Sequence, residues 1–508
     1  MSQGPEERDF DRSPQAVGDG PWWRELTRYH WWVLIVATLG WLFDGMDQRI
    51  FILARTPALR DLLPEAAEAQ LAAYGGYATA LFIVGWATGG LIFGVMGDRW
   101  GRTRTMMATI LIYSAFTGLS ALAHGWWDFC LYRFLCGMGI GGEYAAGVAL
   151  VAEVMPSRAR PYALGSLQAL GAIGNITGSA LSLLIGPQAS IAGYAGWRAL
   201  FLVGVLPALL VVVIRSRLRE PESWLRAAGR LIDPARGGIP DDELHRQLGD
   251  LREIAFDRRW RYHTIIGMIL GVTGQAGLWG IGFWSPELIR SALLEQRRGE
   301  LEFRSQLPGP DGAAVRIAPR DLDELARSAA AGPDSIEARA LAARWRREND
   351  TYVGWGTVLQ DVAGMMGIFA FTLLTARVGR RRAFAVSFLL ALGATLLTFG
   401  CLSTAADIFW MVPMLGFATS SVYGGFAIYF PELYPTRLRS TGTGFCYNVA
   451  RYLTALGPLT LGKLTVLFGA MGYAVPLRPA AICVAMIYLV GVGTVPFAPE
   501  TKGKPLPE

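Results

Sequence analysis

Twelve apolar stretches, each near the length of one membrane crossing, dominate this 508-residue chain. They run over 31–53, 71–96, 106–123, 127–151, 162–186, 197–214, 263–289, 352–375, 384–403, 407–430, 441–468 and 474–497. A bilayer core of about 30 Å takes about twenty residues of helix. Inside it every backbone N–H and C=O must find a partner within the protein, which leaves helices or a closed barrel. The ten-residue alternation of barrel strands does not occur, so the stretches predict transmembrane helices. Composition agrees: 17% of the residues are charged, against about 25% in an average soluble chain.

The same composition excludes several classes. Cys130, Cys136, Cys401, Cys446 and Cys483 lie in or beside apolar stretches without Cys-x-x-Cys spacing, so neither a disulfide framework nor a zinc site is expected. The four histidines are isolated, and no cofactor or metal is predicted. The basic residues are 44 arginines and three lysines. They fall in short blocks between apolar stretches rather than on one soluble face, which argues against a nucleic-acid partner. The run from Gly137 to Gly142 is rich in glycine but sits inside an apolar helix with no strand before it, so it is not a dinucleotide loop. With no nucleophile–base set and no Walker loop, the chain reads as neither an enzyme nor a primary pump. The first thirty residues are polar and proline-containing, so the first apolar segment is expected to direct insertion itself.

Arginine placement sets orientation. The loops after segments 2, 4, 8 and 10 hold eleven arginines, whereas those after segments 1, 3, 5, 9 and 11 hold only Arg55 and Arg60. Both termini are therefore expected in the cytoplasm of a multi-pass protein of the cell membrane. The predicted organisation is a tail over 1–30, a six-helix bundle over 31–214, a cytoplasmic linker over 215–262, a second bundle over 263–497 and a tail over 498–508. Residues 290–351 form an expected extracytoplasmic insert in the second bundle. Its helix-compatible runs are Leu322–Ala331 and Ser335–Arg347.

The halves repeat one another. Glu153, Pro156, Arg158, Arg160 and Gly165 recur as Glu432, Pro435, Arg437, Arg439 and Gly444, all at an offset of 279. Arg99, Gly101 and Arg102 recur as Arg377, Gly379 and Arg380 at an offset of 278, with Ala376 where Asp98 would be. A repeated six-helix unit in one orientation means a parallel duplication about the membrane normal. The fold class is all-α integral membrane, with twelve helices in two pseudo-symmetric bundles.

On these residues the chain resembles the major facilitator superfamily of transporters over its whole length apart from the insert. Gly97-Asp98-Arg99-Trp-Gly101-Arg102, Arg133-Phe-Leu-Cys-Gly137-Met-Gly139, Pro221-Glu222-Ser223 and Pro499-Glu500-Thr501 carry the likeness. Asp44-Gly45-Met46-Asp47 is similar to the signature of aromatic-acid:proton symporters, and Gly141-Gly142-Glu143 to that of sialate and lactate symporters. The sugar-porter pattern weakens in segment 7, where Gln275 stands alone and Phe283-Trp284 replaces paired tyrosines. The resemblance implies proton-coupled symport of a small organic acid by rocking of two bundles, in a protein expected to work as a monomer. Its alternatives are a sugar or polyol porter and a transporter-like sensor that uses the insert.

Charged groups at bilayer depth are costly and tend to face a cavity or a partner. Asp44, Asp47, Arg133 and Glu143 are the candidate proton-coupling residues, with Arg133 expected to pair with Asp44. Arg451, three residues past Asn448, offers a guanidinium fork suited to a carboxylate. Asn448, Gln168, Asn175, Gln275, Trp279 and Tyr423 complete the candidate substrate lining. The resemblance further implies that Gly97, Asp98, Arg99, Gly101 and Arg102 latch the two halves on the cytoplasmic side. Arg49 and Asp361 are the remaining charges at membrane depth. The recurrent glycines of segments 4 and 5 predict close helix packing.

Overall fold

The computed structural model describes residues 21–64, 68–186, 190–191, 193–228, 248–280, 284–305, 333–454, 457–473 and 475–507. The first half consists of α1 (Arg28–Leu62), α2 (Glu68–Trp100), α3 (Arg102–Ser120), α4 (Trp126–Val154) and α5 (Arg160–Ile185). A two-stranded ribbon of β1 (Ser190–Ile191) and β2 (Tyr194–Ala195) leads into α6 (Gly196–Val203) and α7 (Ala208–Arg217), which share one crossing. The linker carries α8 (Glu222–Ala227) and α9 (Leu251–Phe256). The second half follows as α10 (Arg258–Gly280), α11 (Ser285–Ser305), α12 (Pro333–Val378), α13 (Arg380–Cys401) and α14 (Ala405–Glu432). It closes with α15 (Arg439–Thr454), α16 (Gly457–Ala470), α17 (Leu477–Ala485) and α18 (Ile487–Thr494).

Five crossings differ from the uniform helices expected: the sixth is shared by α6 and α7, and the twelfth by α17 and α18. The seventh segment is α10 up to Gly280, and a separate helix starts at Ser285. The eleventh is shared by α15 and α16. The eighth is the end of a 46-residue helix that begins at Pro333, so the Ser335–Arg347 run belongs to α12. The Leu322–Ala331 run lies outside the described residues.

Among the described residues, seven helices are long and apolar enough to span a membrane by length and composition alone. The crossing in α1 falls short of that standard because Asp44, Asp47 and Arg49 interrupt it. The most enclosed of the seven are α4 and α14. Within the first half α2 packs on α4, α1 on α5, and α3 on α4; within the second, α12 packs on α14, α13 on α14, and α10 on α15. The halves meet through two pseudo-equivalent seams, α2 against α15 and α5 against α12.

Glycine makes these approaches possible. A methyl group at Gly141 would overlap the Trp86 carbonyl of α2, and one at Gly174 the Leu42 carbonyl of α1. The expected close packing of segments 4 and 5 is therefore present, with backbone against backbone.

Residues 22–25 and 499–507 share one face. Glu25 pairs with Arg158 at 3.1 Å, and Arg439 donates to the Pro507 carbonyl at 3.0 Å. On this termini face, two helices begin at glycines in the left-handed region, Gly101 (φ 111°) before α3 and Gly379 (φ 92°) before α13. Each start is capped by a carboxylate from far along the chain. Glu220 accepts from the N–H groups of Thr103 and Arg104, and Glu500 from those of Arg380 and Arg381. Free N–H groups and the helix dipole both favour an anion there.

The two caps titrate apart. Burial pushes Glu220 above the usual carboxylate range, and the N–H bonds only partly offset it. Burial acts in the same sense on Glu500, but the N–H groups of Arg380, Lys502 and Arg381 outweigh it and hold the group below that range. An acid depressed on folding stabilises the fold above its unfolded pKa, and that contribution is lost as pH falls through the folded value; a raised acid has the opposite sign. Acidification below the ordinary value near 4.5 should thus lower the melting temperature of the parent more steeply than that of Glu500→Gln. Equal slopes would remove this assignment.

Candidate functional site

A cavity of about 170 Å³ lies between the halves. Helix α1 contributes Trp41, Asp44, Gly45 and Gln48, and α5 contributes Gln168, Gly171 and Asn175. From the second half come Asp361 and Met365 of α12, Ser420 and Tyr423 of α14, and Tyr447 and Arg451 of α15. These helices are the ones at or beside the inter-half seams.

Asp44 is buried, and neither of its oxygens accepts a hydrogen bond from a donor among the described residues. Its neighbour is another acid: the Glu143 carboxyl of α4 lies within hydrogen-bonding reach. That contact depends on Gly40, one turn before Asp44, because a methyl group there would overlap Glu143 Oε1. The bare helix surface is the seat of the glutamate.

Asp47, three residues on, has a different environment. Arg133 Nη1 lies 3.3 Å from its Oδ2, Thr117 donates to Oδ1 at 2.6 Å, and the Cys136 thiol faces Oδ2 at 3.3 Å. Arg133 also donates to Ser120 and lies over the rings of Phe201 and Phe51, fully enclosed. The expected Arg133–Asp44 pair is therefore replaced by Arg133–Asp47. Helices α3 and α4 present Thr117, Arg133 and Cys136 to Asp47, and Asp44 faces Gly40 and Glu143 instead.

Arg451 closes the other side of the cavity. Its guanidinium stacks over Trp86 of α2 at 3.6 Å and lies 4.7 Å from the Tyr447 ring. Tyr447 in turn stacks on Tyr144 at 4.0 Å, and Tyr144 touches Trp41 at 4.8 Å. An aromatic chain thus crosses from one half to the other beside the carboxyl pair. A guanidinium stacked on aromatic faces keeps its charge in an apolar setting.

On the termini face the halves are joined by a dense polar cluster. Asp98 of α2 caps the first turn of α15, accepting from the N–H groups of Ser440 at 3.1 Å and Thr441 at 2.8 Å. Arg102 reaches Asp98 at 3.0 Å and Glu153 at 2.7 Å, and Arg439 of the second half reaches the same Glu153 at 3.0 Å. All four charged side chains are completely enclosed. A methyl group at Gly97 would overlap Ser440 Oγ, so the close approach of α2 to α15 needs glycine. The linker braces this cluster through Trp224, which donates to the Asp98 carbonyl at 2.6 Å, through the Leu248 carbonyl, which accepts from Arg99 at 3.1 Å, and through Glu253, which pairs with Arg437. The second half repeats the internal pair, Arg380–Glu432 at 2.7 Å. With Ala376 at the Asp98 position, it has no equivalent cap.

The family pattern for sugar and other transporters matches residues 58–255. A Haemophilus influenzae relative named for metabolite transport is 28% identical over 95% of this chain and 99% of its own. The niacin transporter NiaP of Acinetobacter baylyi is 24% identical over 94% and 96%. Among solved structures, the major facilitator superfamily proton:xylose symporter XylE superposes with a TM-score of 0.67 at 16% identity, covering 94% of this chain and 98% of that one. This chain has the fold of the major facilitator superfamily transporters. Its relatives and structural neighbours are transporters rather than enzymes.

Five of the candidate residues line this cavity: Asp44, named for proton coupling, and Gln168, Asn175, Tyr423 and Arg451, named for the substrate. Others fall elsewhere. Asn448 is buried outside the cavity, donating to the Gly444 carbonyl at 2.9 Å and packed against Gly90 of α2. Gln275 donates to the Tyr447 carbonyl at 2.6 Å, behind the cavity wall. Glu143 meets Asp44 from behind, and Asp47 and Arg133 are enclosed with each other; none of the three is among the lining residues. The side chain of Trp279 lies outside the described residues. Trp41, Trp86, Tyr447 and Ser420 line the cavity without having been singled out for it. Their signal was weak because aromatic residues in membrane helices mostly serve packing and interfacial belts.

Proposed function

We propose that this protein moves a small organic acid together with protons by alternating access, with the termini face in the cytoplasm. One observation carries the reading: two acids, Asp44 and Glu143, meet at hydrogen-bonding reach beside a cavity whose opposite wall holds Arg451. Two ionised carboxyls cannot share so close and dry a contact, so the pair holds a proton while the cavity is closed. Exposure of the cavity to one side or the other lets that proton exchange with water there. Arg451 receives the carboxylate of the cargo, and the aromatic wall of Trp41, Trp86 and Tyr447 covers its apolar part. Asp47–Arg133 holds α1 to α4 and α3, so movements of Asp44 are carried into the bundle. The Asp98–Arg102–Glu153–Arg439 cluster closes the cytoplasmic side when the cavity faces outward. The names of the relatives, niacin and cis,cis-muconate transporters among them, fit a carboxylate cargo. The family pattern and the Arg133–Asp47 pair favour the second reading, a sugar or polyol porter.

In proteoliposomes, uptake driven by an imposed pH gradient is expected to fall at least about tenfold in Asp44→Asn, while exchange at equal pH continues. A thermal-shift screen of monocarboxylates, aromatic acids, sugar acids and hexoses chooses the probe. Gradient-driven uptake at the parent rate in Asp44→Asn would reject proton coupling through this acid. In Arg451→Gln, affinity should drop far more for an anionic probe than for a neutral one; equal losses would favour the sugar reading.

A further inference from the structure

We propose that Arg49 and Asp361 are positioning residues that hold the far mouth of the cavity shut, opposite the cluster on the termini face. Arg49 lies five residues beyond Asp44 on α1, about 7.5 Å further from that face at 1.5 Å per residue. Its stem fits a notch on α5, where a methyl group at Gly178 would crowd Arg49 Cβ. From there its Nη2 crosses to the other half and donates to Asp361 Oδ2 of α12 at 2.7 Å. Asp361 lines the cavity and Arg49 does not, so the pair sits at the cavity's edge.

Two inter-half ion pairs among the described residues differ in one decisive respect. Arg439–Glu153 is wholly enclosed, whereas the side chains of Arg49 and Asp361 are 19% and 27% exposed. Both side chains of this pair reach water, which weakens it relative to the enclosed pair and lets it part more easily. Rocking of two rigid halves about the cavity cannot keep both pairs closed while either mouth is open. The weaker pair marks the mouth that opens from the observed state.

This inference rests on the alternating-access reading, but its test reads the mouth alone and needs neither cargo nor a proton gradient. In a background lacking the five native cysteines, Met365→Cys places a thiol on the cavity wall one turn from Asp361, towards the termini face. A membrane-impermeant maleimide is applied from the far side, and the rate of modification is followed. Arg49→Gln and Asp361→Asn should each speed labelling about fivefold, the ratio that roughly 1 kcal/mol brings. The charge swap Arg49→Asp with Asp361→Arg should return the rate to that of the parent, and Arg49→Lys should stay near it. Parent-like rates in both neutral variants overturn the proposal, as does a swap that labels as fast as they do. If the swap does not elute as a monodisperse protein, Arg49→Lys decides: a rate equal to that of Arg49→Gln overturns the ion pair as the cause. A wild-type response here with failed proton coupling in Asp44→Asn would separate this mouth from the function proposed above.

Discussion

Glu153→Gln is expected to be the most destabilising single-atom change in the protein. The Glu153 carboxylate accepts from Arg102 at 2.7 Å, from Arg439 at 3.0 Å and from Ser223 at 3.2 Å, and it is completely enclosed. It therefore serves three separate parts of the chain: its own bundle, the opposite bundle and the linker. Removing its charge leaves two buried guanidiniums facing a neutral amide, and breaking a buried pair from one side costs about 3–5 kcal/mol. The apparent melting temperature should fall by roughly 5 °C or more. Glu432→Gln is the internal control, since Glu432 answers one arginine, Arg380, and Thr501, both from its own half. Its loss should be clearly smaller. Neutralising Arg439 as well, in Glu153→Gln with Arg439→Gln, should recover part of the deficit because one uncompensated charge is gone. Equal melting temperatures for Glu153→Gln and Glu432→Gln would show that the crossing to the other half adds nothing.

This pair also shows what a sequence can and cannot carry. The recurrence of Glu153 and Arg102 as Glu432 and Arg380 was visible as a repeat, and both copies form the same ion pair. The substitution of Ala376 for Asp98 was visible too, and it is the reason that a single acid caps a helix across the seam. Membrane crossings were legible because apolar length is a local property, and so were Asp44 and Arg451 as rare charges at depth. Pairing was harder. Asp44 and Asp47 are one turn apart, and only the depth of α3 and α4 decides that Arg133 meets the second of them. The Pro-Glu-Ser motif drew attention to Glu222, yet that residue is exposed and pairs with Arg226, while Glu220 does the capping. Arg49 and Asp361 lie 312 residues apart with no shared motif, so nothing short of the folded chain connects them. A glycine says still less, because its meaning depends on what the facing helix puts there.

Gly40 is the clearest such case, and Gly40→Ala should uncouple transport almost as fully as loss of the acid it seats. Glu143 lies directly over the Gly40 Cα, so an added methyl group occupies the position of its carboxyl oxygen. A core packed as densely as this gives little room, and the glutamate must turn away from Asp44. The fold should survive, because the displaced group is the end of a side chain rather than a backbone carbonyl, in contrast to Gly141 and Gly174. Uptake driven by a pH gradient is expected to fall about tenfold, matching Glu143→Gln, with exchange at equal pH retained. The decisive arm is a compensating change: Glu143→Asp shortens the side chain by one methylene and leaves space for the new methyl. In the Gly40→Ala background that second substitution should raise gradient-driven uptake, although on its own it should lower it, since the shorter acid meets Asp44 less closely than glutamate does in the parent. Such a reversal of sign arises only if the two residues contend for one volume. If Glu143→Asp lowers uptake equally in both backgrounds, Gly40 serves helix packing alone and the seat for the glutamate must be abandoned.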